Sequence, residues 1–186
     1  MKLPWTHAHP KKQFQPANHL ELIRGWLLHA HKYRDCHDLA GRRNNTYRYL
    51  LGVTSILLSA IVGSSIFTAL QTQTKPSFHI IIGLVSIVAA VLTSLQTFFN
   101  FESLAERHRL AGVKYKAIIW ELEQILAQPI ENNLDIAATL DDIRKRLAFL
   151  EKEAPVVPES IYQKVEDEYK LVVFPTDVTS LANSRN

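Results

Sequence analysis

The chain has 186 residues and a net charge of +3, with 47% hydrophobic and 21% charged residues. Residues 49–101 depart from that average, because Lys75 is their only Lys, Arg, Asp or Glu. So long an uncharged block excludes an ordinary water-soluble domain, and the apolar content excludes a disordered chain. A disulfide framework is excluded as well, since Cys36 is the single cysteine.

In chain order, residues 1–17 read as a flexible arm. They carry Lys2, Lys11 and Lys12 but no apolar run, so no signal peptide is expected. Asn18 followed by Glu21 reads as a helix N-terminus, opening a cytoplasmic helix over 18–48. Its apolar or semi-polar residues Leu22, Trp26, His29, Tyr33, Cys36 and Ala40 recur in steps of four and three, predicting a helix–helix seam. Gly41 is the one position expected to soften this helix.

Two uncharged runs follow, 49–70 and 78–101. Each exceeds the roughly 20 residues that cross a hydrocarbon core. The short segment between them, ending at Lys75-Pro76, predicts a tight transmembrane hairpin with proline opening the second span. Lys32, Arg34, Arg42, Arg43 and Arg48 precede the first span, and Arg107, Arg109, Lys114 and Lys116 follow the second. With Lys75 alone in the loop, both termini are expected in the cytoplasm. Tyr47, Tyr49, Phe98, Phe99 and Phe101 would form an aromatic belt at the inner boundary.

Past the second span the pattern is cleaner: Phe101, Leu104, His108, Ala111, Tyr115, Ile118, Leu122 and Ile125 predict a helix that continues directly from the membrane. Pro129 should end it. A third cytoplasmic helix presents Ile136, Leu140, Ile143, Leu147 and Leu150 on one face, Pro155 and Pro158 break it, and a short helix covers 159–169. Helices are expected over 102–172 and a tail over 173–186. The fold class is therefore an all-α membrane protein, a two-span hairpin whose helices continue into a cytoplasmic antiparallel bundle. Residues 1–48 carry nine basic and three acidic side chains, and 102–186 carry eleven and fifteen, so the basic part should face anionic headgroups.

Catalytic motifs are missing: there is no phosphate-cradling glycine loop, GxSxG, HExxH or CxxC. No enzyme activity or cofactor is expected. His31 with Asp35 and Asp38 shares one helical face, the best arrangement for a metal, but an exposed polar face explains it more simply, and no metal is expected. His29 and His108 read as core histidines and Cys36 as a small core residue. Nucleic-acid binding is not expected either, because the positive-inside effect accounts for five of the nine N-terminal cations.

The spans carry small, weakly polar stripes: Gly52, Ser55, Ser59 and Gly63 on the first, Gly83, Ser86, Ala90, Thr93 and Thr97 on the second. Such stripes serve close helix packing or, once several hairpins assemble, line a water-filled path. Two helices cannot enclose a channel, so a homo-oligomer is expected. Equal rise in the two long helices places residue 101 + n level with 49 − n. Arg48 should then meet Glu102, Arg43 should meet Glu106, and Trp26 and Trp120 should share a cluster deeper in the bundle.

The stretches YRYLLGVTSILLSAIVGSSIFTAL at 47–70 and IIIGLVSIVAAVLTSLQTFFNFESLAERHRLAGVKYKAIIWELEQIL at 80–126 resemble the SLATT family of two-transmembrane effector domains. Gly63, Phe67, Gln96, Phe98 and Phe101 close the spans in that manner, and Glu102, Glu106, His108 and Tyr115 follow on the descending helix. The resemblance covers nearly the whole chain. It implies a bacterial inner-membrane protein, a pore-forming or membrane-disrupting effector linked to separately encoded nucleotide synthetases, nucleotide sensors or reverse transcriptases. It offers no catalytic or ligand residues, and without a fused sensor the input would come from a partner. The runner-up is a constitutive membrane scaffold that docks a cytoplasmic partner and never conducts.

Overall fold

The computed structural model describes residues 16–71, 76–127 and 136–170. Most of the N-terminal arm, Lys75, Pro129 and the tail at 173–186 lie outside the described residues. Helix α1 runs from His19 to Gln71, 53 residues and about 80 Å long. Its start is capped as its sequence requires: the Glu21 amide donates to Asn18 Oδ1 at 2.8 Å, and Glu21 reaches back to the Ala17 amide at 2.8 Å. Gly41 leaves α1 unbroken. A Cβ there would stand 3.4 Å from the Ala105 carbonyl oxygen, so glycine allows a close helix approach.

Helix α2 (Pro76–Phe99) begins on its proline, and α3 (Phe101–Ala127) follows after one residue. That residue, Asn100, has a φ of 44°, the left-handed geometry that asparagine tolerates better than most residues. Its Oδ1 accepts from the Ser103 amide at 3.3 Å, so it ends α2 and caps α3. The sequence pattern predicts an uninterrupted exit from the second span, and the local preference of asparagine breaks it.

The most apolar 18-residue windows of the two long helical segments have mean hydropathies of 2.1 and 2.4, yet only 6% of each is buried within the chain. A core helix of a soluble protein would be covered. Surfaces this apolar and this bare suit lipid, and the described residues are helical, with two segments long and apolar enough to span a membrane.

Beyond the spans, α1 and α3 pack antiparallel. Helices α4 (Ile136–Glu153) and α5 (Glu159–Lys170) lie against them, separated by Pro155 and Pro158. The core joins Ile23 and Ala30 of α1, Ala111, Tyr115, Ile118, Ile119 and Leu122 of α3, and Leu140, Ile143, Leu147 and Leu150 of α4. The predicted faces of α3 and α4 are the buried ones. On α1 one buried line runs through Ile23, Ala30, His37 and Asn44, each seven residues apart. Cys36 and Ala40 are also buried, whereas Leu22, Trp26, His29 and Tyr33 are half-covered. The buried face of α1 thus keeps the predicted Cys36 and Ala40 and otherwise runs one residue on, at Ile23, Ala30 and His37. Asn44 Nδ2 donates to its own helix at the Ala40 carbonyl, 2.9 Å away.

Candidate functional site

The two spans touch where their side chains are small and hydroxylated. Ser55 is 6% exposed, and its Oγ lies 2.6 Å from Thr93 Oγ1 and 3.4 Å from the Ala89 carbonyl. One turn towards the bundle, a Cβ on Gly52 would meet the Gln96 amide at 3.4 Å. Towards the connecting loop the packing opens, since a Cβ on Gly63 or Gly83 would meet nothing within 4 Å.

The opening is a groove of about 540 Å3 lined by Ser59, Gly63, Ser86, Ala90 and Thr93. Thr93 also lines a notch of about 240 Å3 with Gln96, Thr97 and Asn100. Arg48, Asn100 and Glu102 line both this notch and a cleft of about 650 Å3 between α1 and α3. These openings follow one another as a weakly polar track from among the spans to the flank of the bundle. The hydroxyls along it are bonded within their own helix: Ser86 to the Ile82 carbonyl at 2.8 Å, Thr93 to Ala89 at 3.0 Å and Thr97 to Thr93 at 3.0 Å.

At the base of the spans Tyr47 lies 5.7 Å from the Phe101 ring and Phe99 stacks on Phe101 at 5.4 Å. Below them Arg48 reaches Glu102 at 3.0 Å. Glu106 does not meet Arg43: it takes Arg109, three residues along its own helix, at 2.6 Å, while Arg43 leans on Tyr47. An exposed side chain finds a neighbour on its own helix at lower entropic cost than one across the groove.

Deeper in the bundle, rings stack in series between α1 and α3. Tyr33 lies 5.8 Å from Tyr115, Tyr115 5.7 Å from His37, and His37 5.2 Å from His108. The two histidines meet Nδ1 to Nδ1 at 2.9 Å, each 1% exposed. Burial, aided for His37 by the neighbouring imidazole, drives its pKa down to about 4 and lowers that of His108. Burial likewise pushes the Cys36 thiol up to about 11. The Tyr115 hydroxyl is buried with no hydrogen-bond partner among the described residues.

Residues 18–168 match the family described as the SMODS and SLOG-associating 2TM effector domain, family 4. The chain belongs to the SLATT family. The match begins at the α1 cap and ends inside α5, so it covers both spans and the bundle. No curated protein and no solved structure matches the chain.

Within this SLATT domain the residues singled out from sequence part into two groups. Gly52, Ser55 and Thr93 sit at the span contact, whereas Ser59, Gly63, Ser86, Ala90 and Thr97 line the track or its rim and Gly83 faces open space. Tyr115 and His108 are in the core, and Trp26 packs against it. Trp120 corrects the register argument. It is 61% exposed and sits under Lys116, whose Nζ is 5.0 Å from its ring. The levels agree, since Gly41 meets Arg109, the residue the antiparallel rule sets opposite it, with His108 beside it. The face is what differs: residue 120 lies two positions from both Ile118 and Leu122, on the far side of a helix. His31 approaches Glu123 at 3.8 Å, Asp35 takes Arg34 and the Tyr169 hydroxyl, and Asp38 takes Arg42, so these three do not converge. His37 and Asn100 were not marked by the sequence pattern. The seven-residue spacing from Ile23 through Ala30 to Asn44 was the signal for His37, and an asparagine between two aromatic residues was a weak one for Asn100.

Proposed function

We propose that this SLATT domain is a non-enzymatic effector of a bacterial nucleotide-signalled defence system, oligomerising in the inner membrane to permeabilise it. Both termini and the bundle face the cytoplasm, where a separately encoded nucleotide-signalling or sensor protein supplies the input. The observation that carries this reading is the polar track. Ser59, Ser86, Thr93, Gln96 and Thr97 leave a weakly polar face on a hairpin otherwise clad in Leu, Ile, Val and Phe. Turned towards other copies, these faces would enclose a water-filled path without charged residues in the spans. Association is supported by Leu110, Val113 and Trp120, which stand exposed on the outer side of α3 at three- and four-residue spacing through Ala117. A signal on the bundle would shift packed spans towards an open arrangement.

A scaffold that docks a partner and never conducts is supported by one observation: the hydroxyls of Ser86, Thr93 and Thr97 donate within their own helix. Cysteine labelling separates the two readings. Cys36 is fully buried with its thiol held protonated, so it serves as a silent background. Single cysteines at Ser59 and Ala90 should react with a membrane-impermeant, water-soluble thiol reagent, and cysteines at Leu57 and Ile87 should not. Equal protection at all four positions would leave the scaffold reading and remove the pore.

A further inference from the structure

At the junction of spans and bundle, α1 and α3 part to form the cleft of about 650 Å3, and its lining has an unusual charge balance. Arg42, Arg48 and Arg109 alternate with Asp38, Glu102 and Glu106, three cations against three anions. Each arginine holds one of the carboxylates, Arg42 to Asp38 at 3.0 Å, Arg48 to Glu102 at 3.0 Å and Arg109 to Glu106 at 2.6 Å. All six side chains are at least one-third exposed. Exposed pairs of this kind exchange partners at little cost, because water already screens them. Asn45, Asn100 and Ser103 add uncharged hydrogen-bonding groups to the wall.

The cleft lies at the base of the spans. It shares Arg48, Asn100 and Glu102 with the notch lined by Thr93, Gln96 and Thr97, residues of the second span. Phe98 and Phe99, 81% and 52% exposed, flank the same level and mark the apolar edge. A ligand seated here would have a charged end in the cleft and an apolar end beside the spans.

We propose that this cleft binds the headgroup of a zwitterionic phospholipid that carries a primary amine. The phosphodiester takes Arg48 and Arg109, for which guanidinium offers paired donors, and the ammonium takes Glu102 and Glu106. The balance of charges selects this class. A purely anionic headgroup meets as many carboxylates as arginines and gains no net attraction, whereas a headgroup of both signs matches both sets. A quaternary amine lacks the N–H donors that carboxylates accept. The acyl chains leave along the Thr93–Thr97 notch. The site depends on the spans lying in a bilayer and not on whether they conduct.

The test uses the full chain in detergent micelles, titrated with short-chain phosphatidylethanolamine, phosphatidylglycerol and phosphatidylcholine, with glycerophosphoethanolamine as the probe without acyl chains. Binding is read by calorimetry. Phosphatidylethanolamine should bind roughly tenfold more tightly than either other lipid, the worth of about one charged hydrogen bond. Arg48→Gln should lose that preference. Arg109→Gln, whose side chain is 62% exposed and outside the core, should lose it too and guards against misfolding of the first variant. Equal affinity for the three lipids, tightest binding of phosphatidylglycerol, or an unchanged preference in Arg109→Gln would overturn the proposal. Glycerophosphoethanolamine binding as tightly as the lipid would make the ligand a soluble phosphodiester and overturn the lipid assignment.

Discussion

His37 of α1 and His108 of α3 meet through their Nδ1 atoms at 2.9 Å in a fully covered part of the bundle. Such a contact needs one ring to donate and the other to accept, so the accepting ring must be neutral, and burial disfavours the charged form of both. Its consequence is a pH dependence of known sign. The folded-state pKa of His37 falls from 6.5 to about 4, because burial and the second imidazole disfavour its charged form. Stability is then full above the unfolded pKa of 6.5 and is lost as pH falls towards 4. The loss from His37 alone is at most about 3 kcal/mol. Thermal unfolding in detergent between pH 7 and pH 4 should show a decline that His37→Leu flattens. The same pH slope in both proteins would contradict the pair's role.

Tyr115 gives the opposite kind of prediction. Its ring is stacked between Tyr33 and His37, but its hydroxyl is buried and without a partner among the described residues. Removing an unsatisfied polar group relieves a desolvation cost of about 1 kcal/mol or more. Tyr115→Phe should therefore unfold at the same temperature as the parent or higher, while Tyr115→Ala loses several kcal/mol of ring packing. A clear destabilisation by the phenylalanine would reveal a partner for the hydroxyl.

On α3, neighbouring positions should differ sharply. Leu122 is fully buried and Trp120 is 61% exposed. Leu122→Ala should cost about 2–5 kcal/mol, and Trp120→Ala about 0.5 kcal/mol or less in the isolated chain. Chemical denaturation by circular dichroism would compare them. A Trp120 effect as large as that of Leu122 would mean that this face is covered by something other than solvent.

Gly63 distinguishes packing within one chain from packing between chains. Among the described residues a Cβ there meets nothing within 4 Å and the groove beside it is open, so Gly63→Leu should leave the hairpin of a single chain intact. Its cost should appear only when copies associate, as a shift to smaller species in mild-detergent light scattering with unchanged helix content. Loss of helicity in Gly63→Leu would place a partner helix of the same chain against it.

The parts of this fold that could be read from sequence are those where one physical rule dominates. Two uncharged runs of span length fix the hairpin, and the spacing from His108 to Leu122 fixes the buried face of α3. Cys36 and Ala40 emerge from the same periodicity, and Arg48 beside Glu102 from equal rise along antiparallel helices. Other features depend on rules in competition. Asn100 breaks a continuous helical pattern because one residue can both end and cap a helix, which periodicity does not register. Trp120 carries the largest side chain on its stretch of α3, yet helix angle, not size, decides burial. The small stripe reads as one feature in sequence but separates in space into a contact at Ser55 and Thr93 and an open groove at Gly63.

The central claim is permeabilisation, and membrane potential reports it most directly. The chain is induced in bacteria alone and together with candidate nucleotide-signalling proteins, and a potential-sensitive dye is followed with growth. The account predicts rapid depolarisation and growth arrest in at least one combination, abolished by blocking the groove with Ser59→Trp while the variant still reaches the membrane. An unchanged potential in every combination, with the chain present in the membrane, would contradict it.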